Sequence, residues 1–249
     1  VAIYSTFLQR AFDQVLHDVC IQNLPIVFAI DRAGIVGEDG KTHQGTFDLS
    51  YLGCIPSLVI AAPSDENEMR HLLYTAVKAN HPMAIRYARD SGLGVPMEEH
   101  FRELPVGKGE VLKHGDDLAI IAIGSTVAPS MEAAKLLGDK GINCAVVNAR
   151  FAKPLDSDLI LELANRTKRL VTVEENALIG GFGSAVLSLL SNNTSVSLLR
   201  IGIPDEFVEH GSQELLRANY GLNAEGITHR ILSFFPELAH VSTPAKVKG

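Results

Sequence analysis

Short apolar runs alternate with longer amphipathic stretches along almost the whole chain, and this alternation most tightly limits the fold. VAIYS, PIVFAI, SLVIAA, MAIRY, DLAIIAI, NCAVVNA, RLVTVEE and VSLLRIG have the length and composition of strands. The stretches between them carry apolar residues at three- and four-residue spacing, as amphipathic helices do. Strands that alternate with such helices imply parallel sheets covered on both faces. The expected class is therefore α/β, with two doubly wound domains of mainly parallel sheets.

The first helix is predicted over Thr6–Ile21, with Ser5 as its N-cap and Leu8, Ala11, Phe12, Val15, Leu16 and Val19 as its buried stripe. PSDENEMRHLLYTAVKAN is a second helix with acids in its first turn, where the helix dipole favours them. Its predicted buried face is Met69, Leu72, Leu73, Ala76 and Val77. Residues 93–109 lie in a stretch where periodicity is lost to glycine, proline and charge, and read as a linker. That places a first domain at 1–92 and a second at 110–249. In the second, helices are expected at APSMEAAKLLGDKG, DSDLILELANRT, GGFGSAVLSLLSN, SQELLRANYG and EGITHRILSFF. The chain opens on VAIY, a strand already under way without an initiator methionine, so the first domain is expected to be incomplete at its start.

A chain of 249 residues with 46% hydrophobic and 20% charged residues has ample core for two such domains. Its net charge of −7 argues against nucleic acid or an anionic membrane as the main partner. The longest apolar runs are too short to span a bilayer. Cys20, Cys54 and Cys144 are widely spaced and odd in number, which indicates neither a disulfide framework nor a zinc site and makes a reduced, cytosol-like compartment the default. No signal or transit segment is visible, and no spacing of metal ligands emerges.

The chemistry concentrates after LPIVFAI. DRAGIVGEDGKTHQG, residues 31–45, is too long for an ordinary connection and carries Arg32, Asp39 and His43 among four glycines. Long loops at the C-terminal ends of parallel strands are where such folds keep their sites, and glycines let the backbone double back. The alternative is a surface loop with scattered polar residues. Arg86 and Arg89 follow the last strand of the same region and can act as a phosphate clamp, since guanidinium groups bind phosphate through paired hydrogen bonds; one of the two is expected to make an ordinary salt bridge instead. Tyr4, Phe7 and Arg10 sit where the first strand meets its helix. Phe7 lies off the buried stripe, placed either to stack on a flat heterocycle or to pack as a core or interface aromatic. The glycines of LIGGFGSAV fit close strand–helix packing better than a dinucleotide fingerprint. His210 in EFVEHGS is a base or a capping side chain, the latter preferred.

YSTFLQRAFDQVLHDV, DRAGIVGEDGKTHQG, PSDENEMRHLLYTA, VVNARFAKPLD, VEENALIGGFGSAV and GIPDEFVEHGS together resemble the 1-deoxy-D-xylulose-5-phosphate synthase family, thiamine-diphosphate enzymes of the transketolase superfamily. The resemblance runs in order from the first residue to about residue 232. It implies a pyrimidine-binding domain followed by a transketolase-like C-terminal domain. The implied reaction joins pyruvate to glyceraldehyde 3-phosphate with loss of carbon dioxide, giving a precursor of isoprenoids, thiamine and pyridoxal. Carried over residue by residue, Phe7 would stack on the cofactor's aminopyrimidine, with Arg10 at the same mouth. Arg32, Arg89 and Tyr4 would bind the aldehyde's phosphate, Asp39 would hydrogen-bond the acceptor, and His43 would handle protons and charge near the reacting carbonyl or carboxylate.

The same resemblance implies a cofactor-activating glutamate upstream of Val1, and a magnesium and diphosphate site in a large N-terminal part. Alone, this chain is expected to be inactive. Homodimerisation and a bacterial cytoplasmic location are implied, a plastid form not being excluded. Two other readings remain: a β-type subunit of a heteromeric transketolase or 2-oxoacid dehydrogenase, and a noncatalytic interaction module on the same fold. The set of Arg32, Asp39, His43 and Arg89 speaks against the module, which has no need to gather them.

Overall fold

The structure is a computed structural model and describes residues 1–191 and 196–240. The end of the helix expected to run to Asn192, and residues 241–249 of the expected second domain, lie outside that range.

Four parallel strands form the first sheet: β1 (Ala2–Tyr4), β2 (Val27–Asp31), β3 (Val59–Ala61) and β4 (Met83–Arg86), in the order β1-β2-β4-β3. The second sheet has an antiparallel edge strand, β5 (Glu110–Lys113), and the parallel strands β6 (Leu118–Ala122) and β7 (Cys144–Asn148). After β8 (Phe151–Lys153), it is completed by β9 (Arg169–Ala177) and β10 (Ser197–Ile203), giving the order β10-β9-β6-β7-β5. β8 crosses to the other sheet and pairs antiparallel with β3. The α/β class with mainly parallel sheets is what the alternation predicts. β5 (EVLK) and β8 (FAK) went unread because neither is an apolar run like those of the other strands.

The two sheets share one apolar core. Phe28, Ile30, Leu49 and Ile60 from the first half are continuous with Ala119, Ile121, Val147, Leu163, Phe182 and Val186 from the second. Central parallel strands are buried on both faces, so β6 and β7 are inaccessible along their whole length. Among the described residues no helix is long and apolar enough to cross a membrane.

The first helix departs from the expected span. It breaks into α1 (Ser5–Leu8), a 3₁₀ turn (Gln9–Ala11) and a π-helix (Gln14–Cys20). Ser5 is not its cap: Tyr4 holds the N-cap position without a side-chain bond, and the buried Ser5 hydroxyl donates to Asp48 Oδ2 at 2.8 Å. A tertiary acceptor has taken the hydroxyl that a local cap would have used. The apolar stripe survives the change in winding, with Leu8 and Val15 in the core and Ala11, Phe12, Leu16 and Val19 against it.

Between β2 and β3 runs the short helix α2 (Asp48–Gly53), and between β3 and β4 lies α3 (Glu66–Lys78), capped by Asp65, whose Oδ1 accepts from Glu68 N at 2.8 Å. The inner face of α3 is Glu68, His71, Leu72, Thr75 and Ala76. Leu73 is 41% and Val77 69% exposed, contrary to the expected face. The cause is polar: residues 93–104 lie along this helix as a strap. Arg102 N donates to His71 Nδ1 at 3.2 Å, Leu104 N to Thr75 Oγ1 at 2.8 Å, and Leu93, Gly94 and Val95 to the Glu66 carboxylate. The covering segment needs acceptors, so the helix buries side chains that supply them.

The second half adds α4 (Val127–Gly138), α5 (Ser157–Thr167), α6 (Phe182–Leu190), α7 (Gln213–Asn219) and α8 (Ala224–Phe234). The glycines ahead of α6 do serve close packing. A Cβ on Gly181 would lie 2.4 Å from Glu174 Oε2, and the Glu174 carboxylate accepts from Phe182 N and Gly183 N at 2.7 and 2.8 Å. Burial pushes the Glu174 carboxyl up to about 7, against the pull of those two amides and of Arg86 and Arg200.

A carboxyl whose folded value lies above its ordinary one stabilises the fold fully below the ordinary value, and that contribution is lost as pH rises through about 7. The Glu174 contribution to stability should therefore decline between about pH 5 and pH 7, by at most about 1.4 kcal/mol per pH unit, and level off above. Urea unfolding of wild type and Glu174→Gln across that range reads this contribution as the difference in slope; parallel profiles would contradict it.

Candidate active site

The C-terminal ends of β1, β2 and β4, three neighbours in the first sheet, converge at one edge and carry the charged and aromatic candidates. Past β2 the backbone of Arg32 turns into the left-handed region, with φ of 57°, uncommon for a residue with a side chain. The loop then closes on itself through reciprocal bonds between Gly34 and Gly45, at 2.7 and 2.8 Å. Only glycine fits at 45, since a Cβ there would lie 2.2 Å from the Arg32 carbonyl oxygen. Within the closed loop the Gln44 amide accepts from Val36 N at 2.7 Å and donates to the carbonyls of Gly37 and Glu209. Thr6 Oγ1 holds the far side by donating to Thr42 O at 2.8 Å.

This framework gathers six of the seven candidate residues. Asp39 Oδ2 accepts from Arg32 Nη1 at 2.5 Å and from Arg89 Nη1 at 2.9 Å. The Arg32 guanidinium lies over the Tyr4 ring, 4.2 Å from its centre. Tyr4 stacks on Phe7 with ring centres 5.5 Å apart, and His43 meets Phe7 edge-on at 5.7 Å. His43 Nδ1 pairs with Thr42 Oγ1 at 3.0 Å. Arg10 stands apart: it is exposed on the 3₁₀ turn, and among the described residues no bond or ion pair ties it to the others.

The two arginines at the end of β4 and on the loop after it both make ion pairs, one buried and one exposed. Arg86 is 4% exposed; its Nε pairs with Asp48 Oδ1 at 2.8 Å and its Nη2 donates to Glu175 O at 3.1 Å. Arg89, 47% exposed at its side chain, pairs with Asp39 beside Arg32. His210 packs beside the loop, where a Cβ built on Gly40 would come within 3.4 Å of its own Cβ.

Residues that sequence reading did not single out come from the second half of the chain. Glu175, buried at the end of β9, accepts from Ile35 N at 3.1 Å and from Arg217 Nε at 2.5 Å, while Arg217 Nη1 reaches Asp90 at 2.9 Å. Gln213 Nε2 donates to Ile35 O at 2.8 Å and to Arg89 O at 2.6 Å. The acidic pair at the end of the apolar run LVTV was a visible signal for Glu175. Gln213 gave none, because a polar residue in a helical stretch is ordinary.

Two guanidinium groups set against one carboxylate leave a net positive charge, with N–H donors still available at a partly open rim. That chemistry suits a multiply charged oxyanion. Beside it Phe7, 41% exposed, offers an aromatic face of the kind a flat heterocycle stacks on. Among the described residues no cluster of three or more histidine, cysteine or acidic side chains is arranged to hold a metal.

Residues 1–92 match the model of the transketolase pyrimidine binding domain, and residues 107–227 that of the transketolase C-terminal domain. A protein of Geobacter sulfurreducens named 1-deoxy-D-xylulose-5-phosphate synthase 1 is 57% identical over 246 residues, 98% of this chain and 38% of that protein. One of Pelotomaculum thermopropionicum named 1-deoxy-D-xylulose-5-phosphate synthase is 54% identical over 250 residues, 100% of this chain and 39% of that protein. The chain thus spans about two-fifths of the length of the curated relatives it matches. Among solved structures, a split-gene transketolase described as an inactive β4 tetramer superposes with a TM-score of 0.84 at 31% identity, over 94% of this chain and 75% of that one.

Proposed function

Since the chain belongs to the transketolase family, we propose that it is the C-terminal part of a 1-deoxy-D-xylulose-5-phosphate synthase. Such an enzyme condenses pyruvate with glyceraldehyde 3-phosphate and releases carbon dioxide. The observation that carries the reading is the meeting of Arg32 and Arg89 on one Asp39 oxygen, beside Phe7 and His43. The synthase relatives match far more closely than the split-gene transketolase does, which favours this over a separate β-type subunit.

In this reading Arg32, Arg89 and Tyr4 form the wall that takes the acceptor's phosphate. A dianion among fixed guanidinium groups is held without reorganisation, the usual source of electrostatic advantage in such sites. Asp39 pairs with both guanidinium groups through one oxygen and presents its second oxygen to an acceptor hydroxyl. His43, its Nδ1 engaged by Thr42, keeps Nε2 for protons near the reacting carbonyl or carboxylate. Phe7 would hold the aminopyrimidine of thiamine diphosphate by stacking, and the exposed Arg10 would add positive charge at the mouth. When bound, that cofactor supplies the nucleophilic carbon and the electron sink that decarboxylation needs.

Magnesium, the diphosphate and the activating glutamate are assigned to the part of the longer proteins outside the match. The complete protein is proposed to be a homodimer of the bacterial cytoplasm whose product serves isoprenoid, thiamine and pyridoxal synthesis.

The complete protein, with thiamine diphosphate and magnesium, should release carboxyl-labelled carbon dioxide from pyruvate one for one with loss of glyceraldehyde 3-phosphate, and accumulate a five-carbon ketose phosphate. The chain of residues 1–249 alone should not. Transfer of two-carbon units between sugar phosphates, without carbon dioxide release, would replace this reading with that of a transketolase.

A further inference from the structure

We infer that Gln213 is a positioning residue for the acceptor: its amide fixes the spacing between the loop of Arg32 and Asp39 and the segment of Arg89. This rests on the phosphate-wall reading above and carries it into the second half of the chain. The two segments leave different strands, β2 and β4. At the rim they meet through the Asp39–Arg89 ion pair, partly exposed on both sides, at 31% and 47%. Exposed ion pairs of that kind contribute little and do not hold a geometry by themselves.

The half-buried Gln213 side chain uses both amide hydrogens, one in a partly buried bond to Ile35 O and one at the surface on Arg89 O. One planar nitrogen donating to both carbonyls sets their separation and angle. The side chain is itself presented from a fixed backbone, because Ser212 caps α7 by accepting from Leu215 N at 3.2 Å. The loop packs down on its stem: Gly37 has φ of 98°, and a Cβ there would lie 3.1 Å from Gln213 Cγ. Ile35 is gripped at both backbone groups by the second half, its carbonyl by Gln213 and its N–H by Glu175. Arg32 and Arg89 meet on one Asp39 oxygen, and that meeting depends on the spacing of the two segments that those carbonyls set.

Gln213→Met removes both donors at equal length, and Gln213→Leu removes them with a shorter side chain, neither adding charge. In the complete enzyme each should raise KM for glyceraldehyde 3-phosphate about tenfold, the loss expected for two neutral hydrogen bonds. KM for pyruvate should stay within about twofold, since that substrate makes no demand on the wall. The preference in kcat/KM for the phosphorylated aldehyde over unphosphorylated glyceraldehyde should fall by about the same tenfold.

A purely structural role would lower stability or kcat for both aldehydes alike, and that result would overturn the inference. An unchanged KM for the phosphorylated aldehyde would do the same. If Arg89→Ala is selective for that aldehyde and the Gln213 variants are not, the phosphate wall stands and only the positioning role falls. If Arg89→Ala shows no selectivity either, the wall fails and the inference falls with it.

Discussion

Arg89→Ala in the complete enzyme should raise KM for glyceraldehyde 3-phosphate between about tenfold and a hundredfold, the range that loss of a hydrogen bond to a charged group gives. KM for pyruvate should move by less than about twofold, because binding lost at a remote phosphate is not lost by a substrate without one. Two effects act in the same direction. The variant loses donors for the phosphate, and it leaves Asp39 neutralised by Arg32 alone, so the wall no longer carries net positive charge. Arg89→Lys should recover only part of the loss, because an ammonium keeps the charge without the planar pair of donors. The penalty should shrink at high salt, since Arg89 is half exposed and its field is screened. Steady-state kinetics with each substrate varied against saturating partner read all of this. Equal rises for both substrates would remove Arg89 from the wall.

The contrast between Arg86 and Arg89 shows where sequence reading stops. A three-residue spacing places both near the end of a strand, and either could have faced the crevice. What separates them is register: Arg86 is the last residue of β4, held opposite Ile30 and turned onto Asp48, whereas Arg89 follows on the loop. The loop itself was legible, because an overlong glycine-rich connection after an apolar strand rarely serves only to join two elements. Its supports were not. Glu175, Gln213 and Glu209 reach it across more than 130 residues of chain. No local propensity records a partner at such separation. The same limit hid β5 and β8, whose strand character comes from the neighbour they pair with, and misplaced Leu73 and Val77, whose face of α3 was decided by the strap lying across the other.

Asp48→Ala should destabilise the protein by about 3–5 kcal/mol, the usual cost of removing one member of a buried ion pair. Asp48 is 1% exposed and fully engaged: Oδ2 accepts from Ser5 Oγ, and Oδ1 from Leu49 N and pairs with Arg86 Nε. Without it the Arg86 charge stays buried with no ion-pair partner, donating to the carbonyls of Glu175 and Gly45. Those carbonyls belong to the strand end and the loop that frame the site, so the damage should reach function as well as stability. Asp48→Asn keeps the acceptor for Leu49 and should cost less. The decisive measurement is the double variant Asp48→Leu with Arg86→Met. Its apolar side chains need no partner, so it should unfold at a higher temperature than Asp48→Ala although it carries one more substitution. A double variant less stable than Asp48→Ala would mean that the shape of the pair, and not its uncompensated charge, dominates the cost. In that case Arg86 acts chiefly as a tether from β4 to the Glu175 carbonyl, and Arg86→Met alone should be the more damaging of the two single changes.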